Sequence, residues 1–238
     1  MNRQDHSRMR RVLLARLAAG AALGGGVTAL IREALAQQRV STSVQVVRSK
    51  GSVAVTSQAI QAGGTSHAGT TVVTGPSSEA VLLFGKDAFL QRENTSASFG
   101  TEPAKELLRV ASGKIMGVFG QGEKKLVTGT AVIGIRGTGC YIEAEAERTY
   151  FCLCYGEAEV TPTADPSRRE MIRSAHHDRP IYIHAVTGDK CTVPAAVINH
   201  TDAELTMLEA LVGRKPAFAR SGAQSRPAAD GRDHRISY

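Results

Sequence analysis

A chain of 238 residues with 42% hydrophobic content can build one or two packed domains and falls well short of a polytopic membrane protein. Its formal charge of +7 is confined to the ends: residues 1–36 and 214–238 each carry a net +4, and residues 37–213 a net −1. A neutral body excludes a folded nucleic-acid-binding face, which needs clustered cations, while 24 glycines and the absence of Trp suit a β domain of small aliphatic residues.

The N-terminal segment reads as an address. Arg10 and Arg11 precede a mild apolar run from Leu17 to Ile31, broken by Gly24, Gly25 and Gly26, and Ala34-Leu35-Ala36 offers a small-x-small exit. This pattern predicts a cleaved signal peptide over 1–36, of the twin-arginine kind that exports folded proteins, and a mature chain in the periplasm. A retained inner-membrane anchor is the alternative. A spanning helix wants about 20 strongly apolar residues, and here the run is Gly-rich and flanked by Arg16 and Arg32.

From Ser43 onward short apolar alternations bounded by glycine predict strands at 44–47, 53–55, 71–73, 79–84 and 88–92, the last two joined through Gly85-Lys86-Asp87. Further strands are expected at 105–110, 114–119, 126–128 and 131–135. The clearest hairpin joins 141–146 to 149–155 through Glu147-Arg148, and 158–161, 170–173, 181–185 and 191–193 follow. A dozen or more strands with no amphipathic helix between them exclude a parallel βαβ architecture. The expected fold is all-β, a single antiparallel roll, jelly roll or sandwich over 37–199.

Thr201 and Glu204 form a capping box that opens a short helix with Leu205, Leu208, Leu211 and Val212 on one face, and Gly213 ends it, giving a helical unit at 200–213. Residues 214–238, rich in Arg, Ser, Gly, Ala and Pro, are expected to form a disordered basic tail.

An ordered series of motifs over residues 44–162 resembles the FecR domain, the periplasmic part of ferric-citrate-type regulators. The pieces are Gly51-Ser52-Val53-Ala54-Val55, Thr74-Gly75 followed by 79–84, Val110-Ala111-Ser112-Gly113-Lys114-Ile115, Gly134-Ile135-Arg136-Gly137-Thr138 and Leu153-Cys154-Tyr155-Gly156-Glu157-Ala158-Glu159-Val160. Arg136, Gly137, Thr138 and Gly156 are the motif residues, and a physical reading of them is a structural corner, with Gly137 at a bend or bulge. The family's sensors carry a cytoplasmic sigma-regulating segment. None is expected here, so the resemblance implies a free-standing exported domain that binds a ligand or an envelope partner in signalling or envelope regulation.

Cys140, Cys152, Cys154 and Cys191, with His176, His177 and His184, form a candidate cluster, and Cys140 departs from the family pattern. Cys152 and Cys154, two apart on one strand, share a face. Whether Cys140 joins them depends on the length of the hairpin turn, since a one-residue slip moves it to the other face. Three outcomes stay open: at least one disulfide, natural in an oxidising compartment; a thiolate–imidazole metal site; or plain burial. His176-His177-Asp178 falls in a loop, which could present both rings. No catalytic motif is present, and Glu143, Glu145 and Glu147 alternate as on a half-solvated strand. A non-enzyme without an obligatory cofactor is expected, with a metal- or redox-handling periplasmic protein as the second possibility.

Overall fold

The structure, a computed structural model, describes residues 43–56, 58–67, 69–100 and 106–220. The predicted signal segment and residues 221–238 lie outside the described residues.

Alternation of apolar and polar side chains builds one extensive, mainly antiparallel sheet, as the sequence predicts, and one short helix. Strands β1 (Ser43–Lys50), β6 (Glu79–Phe84) and β7 (Asp87–Gln91) pair in series and lead to β9 (Glu106–Val118). On the other flank, β2 (Val53–Val55), β5 (Thr70–Thr74) and β8 (Thr95–Phe99) reach the same β9, while the short β3 (Gln58–Ala59) edges β2 and β4 (Thr65–His67) borders β1. The N-terminal half of β9 also runs parallel to β10 (Glu123–Val127), an exception to the antiparallel rule. Its C-terminal half pairs with β11 (Ala131–Ala144), which pairs with β12 (Arg148–Pro162). β12 in turn takes β13 (Glu170–Ser174) along one half and β14 (Ile181–His184) along the other, and β15 (Thr192–Pro194) follows.

Three long strands thus exchange partners midway, and this curls the sheet around a core. Each exchange falls at a glycine. Gly113, Gly137 and Gly156 all have positive φ (+91°, +60° and +99°), and the β11–β12 register shifts between Arg136 and Gly139. The breaks expected at these glycines are bends within continuous strands: 131–135 and 141–146 join into β11, and 149–155 and 158–161 into β12. Such a bulge adds twist without ending the pairing.

Because side chains alternate, the sheet has two apolar faces. One encloses a core that includes Val46, Val72, Leu82, Phe89, Phe99, Ile133, Ile142, Phe151 and Ile183. The other, including Val81, Leu90, Met116, Val118, Tyr141, Tyr150, Cys152 and Cys154, is covered by the C-terminal segment. Helix α1 (Asp202–Leu211) packs on β7 and β9 and brings fully buried Leu205 and Leu208 to this face. Its capping box forms as expected, with the Glu204 amide donating to Thr201 Oγ1 and the Thr201 amide donating to the Glu204 carboxylate.

The start of the expected tail needs correction. Residues 214–220 fold back on the body: Arg214 pairs with buried Glu209 at 2.6 Å, and a 3-10 turn at Ala217–Arg220 sets Phe218 against Tyr155 and His176. Phe218 supplies the apolar contact, and Glu209 draws in a charge that a solvated tail would leave in water. No helix among the described residues is long and apolar enough to cross a membrane.

Candidate metal centre

Strand β12 presents Cys152 and Cys154 on the covered face, and both are fully buried. The bulge in β11 decides the position of Cys140. Beyond it, Cys140 stands opposite Leu153 and Tyr141 opposite Cys152, so Cys140 turns into the enclosed core with Leu153. Of the three outcomes left open, a disulfide is not formed: all four cysteines are free and buried. Cys191 follows a 3-10 turn beyond β14, and His184 lies at the end of β14 opposite Arg148, its ring 6.2 Å from Tyr182. Neither belongs to the cluster around Cys152 and Cys154. Arg136 lies exposed beside the bulge and pairs with Glu123 at 2.5 Å, while Thr138 is buried there and would meet any Cβ placed on Gly156.

The loop between β13 and β14 supplies His176 and His177. Asp178 closes this loop by accepting the amides of Ala175 (2.6 Å) and His176 (3.3 Å). The His177 amide donates to the Cys154 carbonyl at 2.9 Å, which ties the loop to β12. A loop can present neighbouring side chains together where a strand cannot: the rings of His176 and His177 both reach Asp202, at 2.9 and 3.0 Å.

The remaining members, His200 and Asp202, flank the N-cap residue Thr201 and were not singled out in the sequence. Their segment is tied across the covered face. The Tyr150 hydroxyl donates to the Ala196 carbonyl (2.9 Å) and accepts the Ile198 amide (3.3 Å), and Asn199 donates to Glu143 (2.7 Å). The His200 ring stacks on Tyr141, centroids 4.6 Å apart.

These elements bring Cys152 Sγ, Cys154 Sγ and one ring nitrogen each of His177 and His200 within 4.8 Å of one another. Cys152 Sγ lies 3.4 Å from His177 Nδ1, which is 3.0 Å from His200 Nε2. The outward nitrogens fix the tautomers. His200 Nδ1 faces the Ile198 carbonyl at 2.6 Å and His177 Nε2 faces the Asp202 carboxylate, both acceptors, so each outward nitrogen carries the hydrogen. The inward nitrogens of the neutral rings are then two lone pairs facing each other beside a sulfur. Such a set is satisfied by a shared proton or by a metal cation.

The charges draw positive charge to the set, as protons or as a metal ion. The Cys154 thiol's hydrogen bond to Cys152 holds Cys152 well below the usual thiol range, against the effect of burial and with help from His177 and His200. Burial and that donated hydrogen bond push Cys154 up. Burial works against a charge on His177, but the Cys152 thiolate and Asp202 outweigh it and raise its pKa. Tetrahedral zinc bound at 2.0–2.1 Å by nitrogen and 2.3 Å by sulfur separates its ligand atoms by roughly 3.3–3.8 Å. The observed separations reach that arrangement with shifts of well under an ångström for the nearest pairs. Outward ring N–H groups held by a carboxylate and a backbone carbonyl are the usual second layer of such a centre. A second grouping, His176, His177 and Asp202, shares His177 with the first and is about one-third exposed at His176 and Asp202.

Fold and site define a curled all-β domain in which two buried cysteines and two partly buried histidines converge beneath a C-terminal cover. No family model matches the chain, and no curated protein matches it. Two crystal structures of a "putative anti-sigma factor" from Parabacteroides distasonis ATCC 8503, at 1.65 and 2.50 Å resolution, are similar to it. Each is 12% identical, aligns over 58% of this chain and 64% of its own, and has a TM-score of 0.45. The chain thus spans less than two thirds of their length.

Proposed function

We propose that this chain is an exported, non-enzymatic β domain that holds one zinc(II) ion through Cys152, Cys154, His177 and His200. The carrying observation is the convergence of four soft and borderline donor atoms within 4.8 Å, with both outward ring nitrogens already engaged. Two thiolates and two neutral imidazoles balance the charge of zinc(II), which suits a site on the apolar covered face where the Tyr141 ring stacks on His200. The same set around copper(I) would leave a net negative charge in that apolar surround. A complete four-ligand set leaves no position for substrate, which supports a binding role over a catalytic one. The N-terminal address supports export to the periplasm, where a bound ion would also keep Cys152 and Cys154 from oxidation.

Elemental analysis of the purified chain, with competition against a chromophoric chelator, tests this. One zinc per chain is expected, falling to near zero in Cys152→Ser and His200→Ala and unchanged in Cys140→Ser. A chain that takes up no zinc while presenting four titratable thiols would overturn the proposal, as would equal uptake by Cys152→Ser.

A further inference from the structure

We infer that metal occupancy at Cys152, Cys154, His177 and His200 sets whether helix α1 stays seated on the sheet, so that the centre converts bound zinc into order at the C-terminus. This rests on the zinc reading and gives the same ligands a regulatory role.

The four ligands belong to two parts of the chain. Cys152 and Cys154 are part of β12, and His177 is held to β12 by its amide bond to the Cys154 carbonyl. His200 belongs to the cover and immediately precedes the N-cap of α1. A bound ion is therefore a cross-link between the sheet and the first turn of the helix. Asp202, the first residue of α1, adds a second tie through His176 and His177.

Helix α1 has ten residues, fewer than the about 12–15 at which isolated helices become even marginal in water. Its persistence depends on docking, through Leu205 and Leu208 and through the ties of Arg92 to Glu204 (2.5 Å), Tyr155 to Glu209 and Arg214 to the Lys86 carbonyl (2.8 Å). The inward nitrogens of His177 and His200 face each other at 3.0 Å beside Cys152, an approach of two lone pairs that a shared cation would hold together. The strand and its loop are pinned by backbone hydrogen bonds, whereas the 196–201 arm is held by side-chain ties from Tyr150, Glu143 and Arg92, so it is the part that yields first, and it carries the helix start with it. Coupling of this kind is reciprocal: zinc steadies the helix, and a poorly docked helix weakens zinc.

Hydrogen exchange on the full chain, with and without zinc(II), reads the first direction. Chelation is expected to speed exchange of the 205–211 amides at least tenfold while β11 and β12 keep their protection. Chelator competition on Leu208→Ala, which removes no ligand atom, reads the second, with zinc affinity expected to fall several-fold. Should Leu208→Ala fail to fold, Arg92→Ala, which releases the partly exposed tie to Glu204, gives the same readout. Normal zinc binding with identical α1 exchange in both states and unchanged affinity in the variant would overturn the inference and leave the zinc centre standing. Exchange that rises uniformly through β11, β12 and α1 would also overturn it. Absence of zinc binding would remove both.

Discussion

Gly156 shows how one residue positions the site. It follows Tyr155 in β12, two residues past Cys154, and its φ of +99° lies where side chains are strained. A Cβ there would stand 2.7 Å from Thr138 Cγ2 and 3.2 Å from Thr138 Cα, across the bulge that also contains Gly137. The close approach of these two corners sets the register that places Cys152 opposite Tyr141 and turns Cys140 away. Gly188 offers a contrast, with φ of +79° but nothing within 4 Å of an added Cβ. Gly188→Ala should cost only the left-handed strain, about 1–2 kcal/mol. Gly156→Ala adds overpacking of about 1–3 kcal/mol, so its loss should be roughly 2–5 kcal/mol. Urea midpoints of the two variants check this, and equal losses would mean that the corner contact carries no weight.

Among the elements, helix α1 has its ends set locally and its place set by long-range packing. Thr201→Ala removes the cap acceptor and should cost about 0.5–2 kcal/mol, with Thr201→Ser recovering most of it. Thermal or urea unfolding measures that difference. An unchanged midpoint would show that the helix end is held by Asp202 and the Arg92–Glu204 pair alone. The box was legible in the sequence because it is a pattern four residues long, and the β11–β12 hairpin was legible because alternation persists on both sides of a short turn. The continuity of β9, β11 and β12 was not. A glycine that ends a strand and one that bends it leave the same mark in sequence, and the distinction lies in a partner strand many residues away. The site was half legible for the same reason. The spacing of Cys152 and Cys154 guarantees a shared face, and the loop character of Ser174-Ala175-His176-His177-Asp178 allowed both rings to serve. His200 joins Cys152 and His177 only because the segment after β15 crosses the covered face, held there by Tyr150 and Glu143, and no local pattern announces that path. A polar residue just before a capping box, in a segment destined to cover apolar surface, is the one signal that could have pointed to it.

At the scale of the whole molecule, the sheet is a body with one face closed on itself and the other closed by residues 195–220. The second face is as closely covered as the first: Val81, Leu90, Met116, Val118, Tyr141 and Tyr155 are all at most 4% exposed. A chain ending at Asn199 would retain every strand yet lose Leu205, Leu208 and Phe218 from the cover, along with His200 and Asp202 from the centre. Contiguous apolar patches of that kind drive association or dye binding. The truncated protein should therefore keep β-type circular dichroism, bind a hydrophobic dye or self-associate on gel filtration, and fail to compete for zinc. In the intact chain, zinc at about 100 times its dissociation constant should raise unfolding stability by about 2.7 kcal/mol through mass action, and in the truncated chain by nothing measurable. A truncated chain that stays monomeric, excludes the dye and still gains stability from zinc would mean that the strands alone make the site. The C-terminal segment would then be an appendage, whereas the ties of His200, Asp202 and Phe218 make it the second wall of the centre.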